Sequence, residues 1–212
     1  LFTTCFINVS GTWTDIVAIL CVLTLLVGNI TAVFQQSTKR MLAFSSIAHA
    51  GYLLLAIVSL SKSSASTILF YTASYSVASI AAFTVLINVM KGADDTIDSF
   101  NGLSKRNPLV AFVMAVAVLS LAGIPPMAGF FAKYYLFTSA IGAHNTWLVI
   151  VAVFASLIGV YYYFKLLIAM YFKTSKSNEA IQLSGAHQVL LIATLLLIIL
   201  MGIMPDKIIS LL

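Results

Sequence analysis

The sequence predicts an all-α integral membrane protein with six transmembrane helices, the fourth of which is broken at Pro125-Pro126. Hydrophobic residues make up 61% of the 212 positions and charged residues only 8%, whereas a soluble domain carries about 25% charged residues. Apolar runs of roughly 20 residues, the length of helix that crosses a bilayer core, recur along the chain. We therefore expect residues 1–212 to form a single transmembrane domain.

The helix bounds follow from the polar segments between the apolar runs. The first run follows a short polar entry, and a polar turn at 35–40 leads into the second. The segment 91–107 is the longest polar stretch and precedes the broken helix. The fifth run ends in an aromatic belt that is typical of a membrane interface. The expected spans are approximately 13–34, 41–60, 66–90, 108–142, 147–172 and 187–205.

The chain start and the cysteines give two further expectations. The sequence begins with Leu-Phe-Thr-Thr rather than Met and has no basic leader segment, so we expect the carboxy-terminal part of a longer protein. Cys5 and Cys21 form no metal-binding or disulfide pattern and are interpreted as inert thiols.

Basic residues are distributed unevenly between the two sets of loops. Seven lie in alternate loops and two in the opposite ones, which by the positive-inside rule places the richer set in the cytoplasm and both chain ends outside. Lys165 can reach an interface, whereas Lys133 lies inside a span. Because the basic residues are scattered at helix ends, we expect no nucleic-acid partner. The seven are Lys39, Arg40, Lys91, Lys105, Arg106, Lys173 and Lys176, and the two are Lys62 and Lys207.

The broken fourth helix is the main candidate for function. Pro125 and Pro126 lack backbone N–H groups, so the carbonyls of Leu121 and Ala122 lose their usual donors. An unpaired carbonyl costs several kcal/mol in lipid, so such a break persists only inside protein or beside a water-filled cavity. Lys133 follows the break, and a charge at that depth costs at least roughly 2.5–3.5 kcal/mol. A broken helix with a buried lysine is typical of an ion pathway. The residues assigned to the break are Gly123, Pro125, Pro126 and Gly129.

The other polar residues of the spans suit proton relay. Histidine titrates near physiological pH, and hydroxyl groups can orient water. Each also has a simpler interpretation: His49 as a hydrogen-bonding partner between helices, Lys39 as a topology signal, and Tyr71 and Tyr75 as packing residues. No phosphate loop, metal-ligand spacing or paired carboxylate is present, so we expect neither a cofactor site nor a metal site. The relay candidates are Lys133, His49 and Lys39, with possible water-wire hydroxyls at Ser45, Ser46, Tyr71, Tyr75 and Ser79.

Two stretches resemble one family. Residues 38–52, with Lys-Arg, Ser-Ser and His-Ala-Gly, and residues 120–133, with Gly-Ile-Pro-Pro and the final lysine, are similar to the antiporter-like membrane subunits of respiratory complex I. Residues 29–36 and 159–165 also fit. Within that family the chain looks most like the N-type subunit, subunit 2 in mitochondria. The third helix has Tyr71, Tyr75 and Ser79 where the largest subunit carries two histidines and a lysine.

The resemblance implies both a larger fold and roles for three residues. It implies a fourteen-helix antiporter-like fold with two inverted five-helix repeats, of which this chain supplies the second repeat and the last helix. Lys133 then matches the twelfth-helix lysine, His49 the central-axis histidine of the tenth helix, and Lys39 a lysine on the cytoplasmic side. The part of the fold that this chain supplies then resembles the half-channel toward the outer face.

The implied function is that of a proton-translocating membrane subunit of NADH:quinone oxidoreductase. FMN, iron–sulfur clusters and quinone are expected in partner subunits, with neighbouring antiporter-like subunits and the lipid bilayer as contacts. The bacterial plasma membrane is the expected location, with the mitochondrial inner membrane and the thylakoid as alternatives. Two other functions stay open: a subunit of a monovalent cation/proton antiporter, and a structural membrane subunit without its own ion path.

Overall fold

The computed structural model describes residues 10–59, 64–90, 94–175 and 183–212. The prediction of an all-α class is confirmed: within these ranges the regular structure is helical, apart from an isolated bridge between Ser37 and Thr96. Cys5, Lys62, Lys91 and Lys176 lie outside the described residues. The helices are α1 (Ser10–Val33), α2 (Thr38–Val58), α3 (Ser64–Val89), α4 (Leu103–Arg106), α5 (Pro108–Ala122), α6 (Ala128–Gly142), α7 (Thr146–Phe172), α8 (Gly185–Ile203) and α9 (Pro205–Ile209), with a 3₁₀ turn at Ile97–Phe100.

Among the described residues, five helices are long and apolar enough to cross a membrane: α1, α2, α3, α7 and α8. The predicted fourth span is instead two helices, α5 and α6, of 15 residues each. A helix of that length extends about 23 Å, which is less than the bilayer core of about 30 Å. The ends of the other helices differ from the predicted ones by up to three residues.

Side-chain caps explain where two of these helices begin. The Ser37 hydroxyl accepts a hydrogen bond from Arg40 N at 3.1 Å, so α2 starts at Thr38 rather than at Met41, where the apolar run begins. The Asn107 side chain accepts from Val110 N at 3.2 Å, and Pro108 occupies the first helical position of α5, where its missing N–H costs nothing. Capping therefore sets both boundaries more sharply than hydropathy does.

The core lies around α5, which packs against α3, α7 and α8. Eleven of its 15 residues are buried, as expected for a helix that is apolar on nearly every face. On the other side of the bundle, α1 and α2 approach closely at Gly28, where a Cβ atom would lie 2.6 Å from Ala48 N. The site described below lies between these two parts of the bundle.

The loop after α3 ties three polar segments together at one end of the bundle. Thr38 N donates to Asp95 O at 2.7 Å, Ile97 N to Gln36 O at 3.0 Å, and Gly102 N to Ala169 O at 3.1 Å. Lys173 and Asp98 form an exposed ion pair at 3.4 Å. The segments that carry five of the seven predicted cytoplasmic charges thus meet on the same side of the protein. The five are Lys39, Arg40, Lys105, Arg106 and Lys173.

Candidate functional site

The break between α5 and α6 is closed by its own backbone. Gly123 adopts a left-handed conformation with φ of 81°, which favours glycine. Its N–H donates to Leu119 O at 3.1 Å and Ser120 O at 2.9 Å, and Ile124 N also donates to Leu119 O at 3.0 Å. These bonds provide donors for the carbonyls of Leu119 and Ser120, as at other helix ends that terminate in glycine. The Pro125–Pro126 peptide bond is cis.

Lys133 supplies the donor that the prolines remove. Its Nζ donates to Ala122 O at 2.9 Å and to Ser156 Oγ at 2.9 Å. The ammonium also lies 4.9 Å from the centroid of the Tyr52 ring, within cation–π range. The side chain is buried, with 7% of its surface exposed. A buried ammonium is thus held by two neutral oxygens and an aromatic face, which leaves it without the strong stabilisation that a carboxylate would give.

Two glycines let the surrounding helices approach the break. A Cβ atom on Gly129 would overlap the backbone carbonyl of Ser120, and one on Gly202 of α8 would overlap the carbonyl of Pro126. Gly129 N also donates to Ser120 Oγ at 3.0 Å. The first turn of α6 therefore rests directly on the last turns of α5. Gly129 lies where the sequence assigned it, whereas Gly202 was not predicted.

His49 of α2 contacts two tyrosines of α3. A hydrogen bond of 2.7 Å joins its Nδ1 to the Tyr71 hydroxyl. Its ring stacks on that of Tyr75 with centroids 4.7 Å apart and an interplanar angle of 30°. His49 is buried, and nothing in these contacts occupies its Nε2. The imidazole is thus oriented by one hydroxyl and one ring, with its second nitrogen available for proton exchange.

His49 and Lys133 line the same small cavity between α2, α3, α5 and α6. Its volume is about 10 Å³, close to the roughly 10–15 Å³ that one water molecule needs. Six of the ten residues that line it have polar side chains, although most of the cavity surface is apolar. The polar lining consists of His49, Tyr71, Ser74, Tyr75, Ser120 and Lys133. Four of the predicted relay and water-wire residues thus surround one water-sized space.

The remaining predicted site residues lie elsewhere. The Ser45 hydroxyl hydrogen-bonds to Tyr163 in a separate buried cluster. Ser46 donates to Leu42 O of its own helix at 3.0 Å, and Ser79 is half-buried next to the cavity without lining it. Lys39 is exposed at the start of α2, roughly 15 Å along the helix from His49. The structure therefore does not bring Lys39 into the site.

Sequence reasoning missed three serines that contact the site. Ser74 follows Tyr71 by three positions on α3, so helical spacing could have identified it, whereas Ser120 meets Gly129 only across the break. Ser156 is the one serine in the long apolar helix α7. It has no local signal that connects it to Lys133, 23 residues earlier in the chain.

Residues 1–159 match the family described as "NADH:quinone oxidoreductase/Mrp antiporter, TM". The chain belongs to this family. The matched range contains His49, the break, Lys133 and Ser156, so the whole site lies within the family's domain. The resemblance seen in residues 38–52 and 120–133 is confirmed.

Relatives and solved structures agree with this assignment. The NADH-quinone oxidoreductase subunit N of Cytophaga hutchinsonii is 44% identical over 188 residues, which is 88% of this chain and 41% of that protein. A chain of respiratory complex I from Thermus thermophilus has a TM-score of 0.83 at 31% identity, covering 92% of this chain and 45% of that one. A chain of the Mrp complex from Dietzia sp. has a TM-score of 0.85 at 20% identity, covering 99% and 48%, which shows the shared fold. The present chain thus spans less than half the length of each.

Proposed function

We propose that this chain is the carboxy-terminal part of an N-type antiporter-like subunit that translocates protons within a membrane-bound NADH:quinone oxidoreductase. The observation that carries the proposal is Lys133, an ammonium buried in a broken helix, paired with neutral oxygens and sharing a water-sized cavity with His49. Such a group inside a membrane is costly and marks a pathway for ions or protons. The similarity to subunit N of Cytophaga hutchinsonii supports the same function.

The architecture that we propose has six membrane crossings. The two half-helices α5 and α6 together form one crossing, because 30 helical residues extend about 45 Å. The six crossings then correspond to the second inverted repeat and the last helix of a fourteen-helix fold. Discontinuous helices at the middle of the membrane are the usual location of ion sites in such transporters.

Proton movement in this proposal uses the cavity. Lys133 releases its proton to the water that the cavity can hold, and His49 accepts it at Nε2, while Tyr71 keeps the imidazole oriented through Nδ1. For net translocation, Lys133 is reloaded along a different path, so that its proton does not simply return from His49. Lys39 is proposed to act at the cytoplasmic entrance, and the gap of roughly 15 Å to His49 requires further waters.

The redox chemistry belongs to other subunits in this proposal. FMN, iron–sulfur clusters and quinone are held by partners, and the neighbouring antiporter-like subunits complete the pumping module in a bacterial plasma membrane. The structural neighbours are chains of multi-subunit membrane complexes, so the chain acts together with other membrane subunits. The absence of a cofactor from the chain itself stays a prediction.

Replacing Lys133 by Met in the complete subunit tests the proposal. We expect the complex to assemble, proton uptake into vesicles to fall to background, and coupled NADH:quinone turnover to fall with it. NADH oxidation by an artificial acceptor should persist, because that reaction does not need the membrane subunit. Lys207→Met is the matched control, since Lys207 is an exposed lysine.

Two outcomes would overturn the proposal. Parental proton uptake by the Lys133→Met complex would favour a structural subunit without its own ion path. Uptake that depends strictly on Na⁺ or K⁺ in the parent complex would favour the cation/proton antiporter, a function suggested by fold alone at 20% identity.

A further inference from the structure

Ser156 of α7 contacts the Lys133 ammonium directly. Its Oγ accepts a hydrogen bond from Lys133 Nζ at 2.9 Å. The Tyr52 ring, which lies 4.9 Å from the same Nζ, is also tied to α7, because its hydroxyl donates to Ala152 O at 3.3 Å. Ala152 and Ser156 are four residues apart and lie on one face of α7. That face of α7 therefore supports both the hydroxyl and the ring that contact the ammonium.

The direction of these bonds limits what the contacts can do. Lys133 donates to Ser156, and Tyr52 donates to a backbone carbonyl. A backbone carbonyl has no proton to pass on. These contacts therefore hold the ammonium without offering it a group that titrates near neutral pH.

We propose that Ser156 is a positioning residue for Lys133: it fixes the ammonium against the Ala122 carbonyl and the Tyr52 ring, at the edge of the cavity that contains His49. This inference rests on the proposed proton-relay function. Ser156 stabilises the protonated lysine and sets the pH range in which Lys133 carries a proton. It takes no part in proton transfer itself.

The titratable groups around Lys133 limit how a pH profile can be interpreted. His49 and Tyr52 face it from α2, and Tyr71 and Tyr75 from α3, while α5 and α7 present the hydroxyls of Ser120 and Ser156. Replacing Ser156 changes none of these titratable groups. A change in the pH profile of a Ser156 variant therefore reports on Lys133 or on a group coupled to it.

The test compares Ser156→Ala and Ser156→Thr in the assembled complex, with proton uptake measured as a function of pH. Loss of one hydrogen bond to a charged group corresponds to about a tenfold change. We expect Ser156→Ala to pump about tenfold more slowly at alkaline pH, with the alkaline limb of its profile about one pH unit lower. Threonine keeps the hydroxyl, so Ser156→Thr should restore most of the rate and the profile. Ser76→Ala, an exposed serine of α3, should behave like the parent.

Each other outcome has a defined meaning. A Ser156→Ala complex with the parental rate and profile overturns the inference, and so does equal slowing at all pH values, which is the signature of a packing defect. If Ser156→Ala does not assemble, Ser156→Cys replaces it, because a thiol nearly keeps the size of the hydroxyl but is a weak acceptor. An unshifted profile of that variant also overturns the inference. Lys133→Met in the same series separates the two proposals. Full pumping by Lys133→Met refutes the relay function. If Lys133→Met does not pump while Ser156→Ala pumps like the parent, only the positioning role is refuted.

Discussion

The two sides of Lys133 differ in the groups that they offer. On one side, the ammonium contacts the Ala122 carbonyl of α5, Ser156 of α7 and the Tyr52 ring of α2, none of which exchanges protons near neutral pH. On the other side, the lysine side chain lines a water-sized cavity together with His49. One side therefore holds the charge and the other side can receive its proton. A proton carrier needs both sides. A lysine that is held in place but has no proton acceptor cannot release its proton, and a lysine with an acceptor but no supporting contacts is not held in position for the transfer.

The largest effect is expected at the contact between α5 and α6, because both sides of the Lys133 site depend on this contact. A Cβ atom on Gly129 would overlap the carbonyl of Ser120, whereas one on Gly142 of the same helix would meet nothing within 4 Å. Overpacking typically costs about 1–3 kcal/mol, and here the obstacle is backbone. We expect Gly129→Ala to abolish assembly of the subunit and Gly142→Ala to leave it unchanged, measured as complex recovered from membranes. Normal recovery of Gly129→Ala would show that the two half-helices need not touch.

The next effect tests the cavity side through His49. General acid–base groups contribute about 100-fold or more to proton transfer, and the cavity has room for about one substitute water. We expect His49→Ala to slow proton uptake at least about tenfold. His49→Gln should rescue it poorly, because an amide keeps the size and polarity but does not titrate. If the alanine variant pumps as fast as the parent, His49 has only a structural role.

A smaller effect is expected from the partner of His49. Tyr71→Phe removes the hydroxyl at 2.7 Å from Nδ1 and keeps the ring, so the imidazole loses its orientation but not its packing. One such hydrogen bond is worth about 1 kcal/mol, which corresponds to a proton-uptake rate about fivefold lower. Tyr161→Phe, on the exposed face of α7, is the control. If both variants pump equally well, the orientation of His49 does not limit transfer.

The residues on the cavity side of Lys133 were easier to predict from the sequence than the residues that hold its ammonium. Lys133, the proline break and His49 are recognisable locally, since a charge or a helix breaker inside an apolar run is costly wherever it packs. Proline chemistry even identified Ala122 as a carbonyl without a donor. Ser156 has no such signature: a single hydroxyl in an apolar helix gains its role only when α7 packs beside α6.

Adjacent residues of one helix show the same limit of prediction from the sequence. Ser45 and Ser46 were predicted together, but successive helical residues differ by about 100° in direction. Ser45 therefore reaches Tyr163 while Ser46 bonds to its own helix. Lys39 was placed near the path by family resemblance, and the structure puts it at the exposed start of α2. Which side chains meet is decided by helix rotation and packing, which hydropathy does not encode.

The most direct test of Lys133 as a proton carrier is the proton uptake of vesicles that contain the Lys133→Arg complex, normalised to assembled complex. Arginine keeps the positive charge and can still donate to the Ala122 carbonyl, but it does not release its proton in a protein. We expect assembly to be preserved and proton uptake to fall as far as in Lys133→Met, with NADH:quinone turnover falling in parallel. Proton uptake equal to that of the parent would show that Lys133 is a fixed charge and that the proton takes another route.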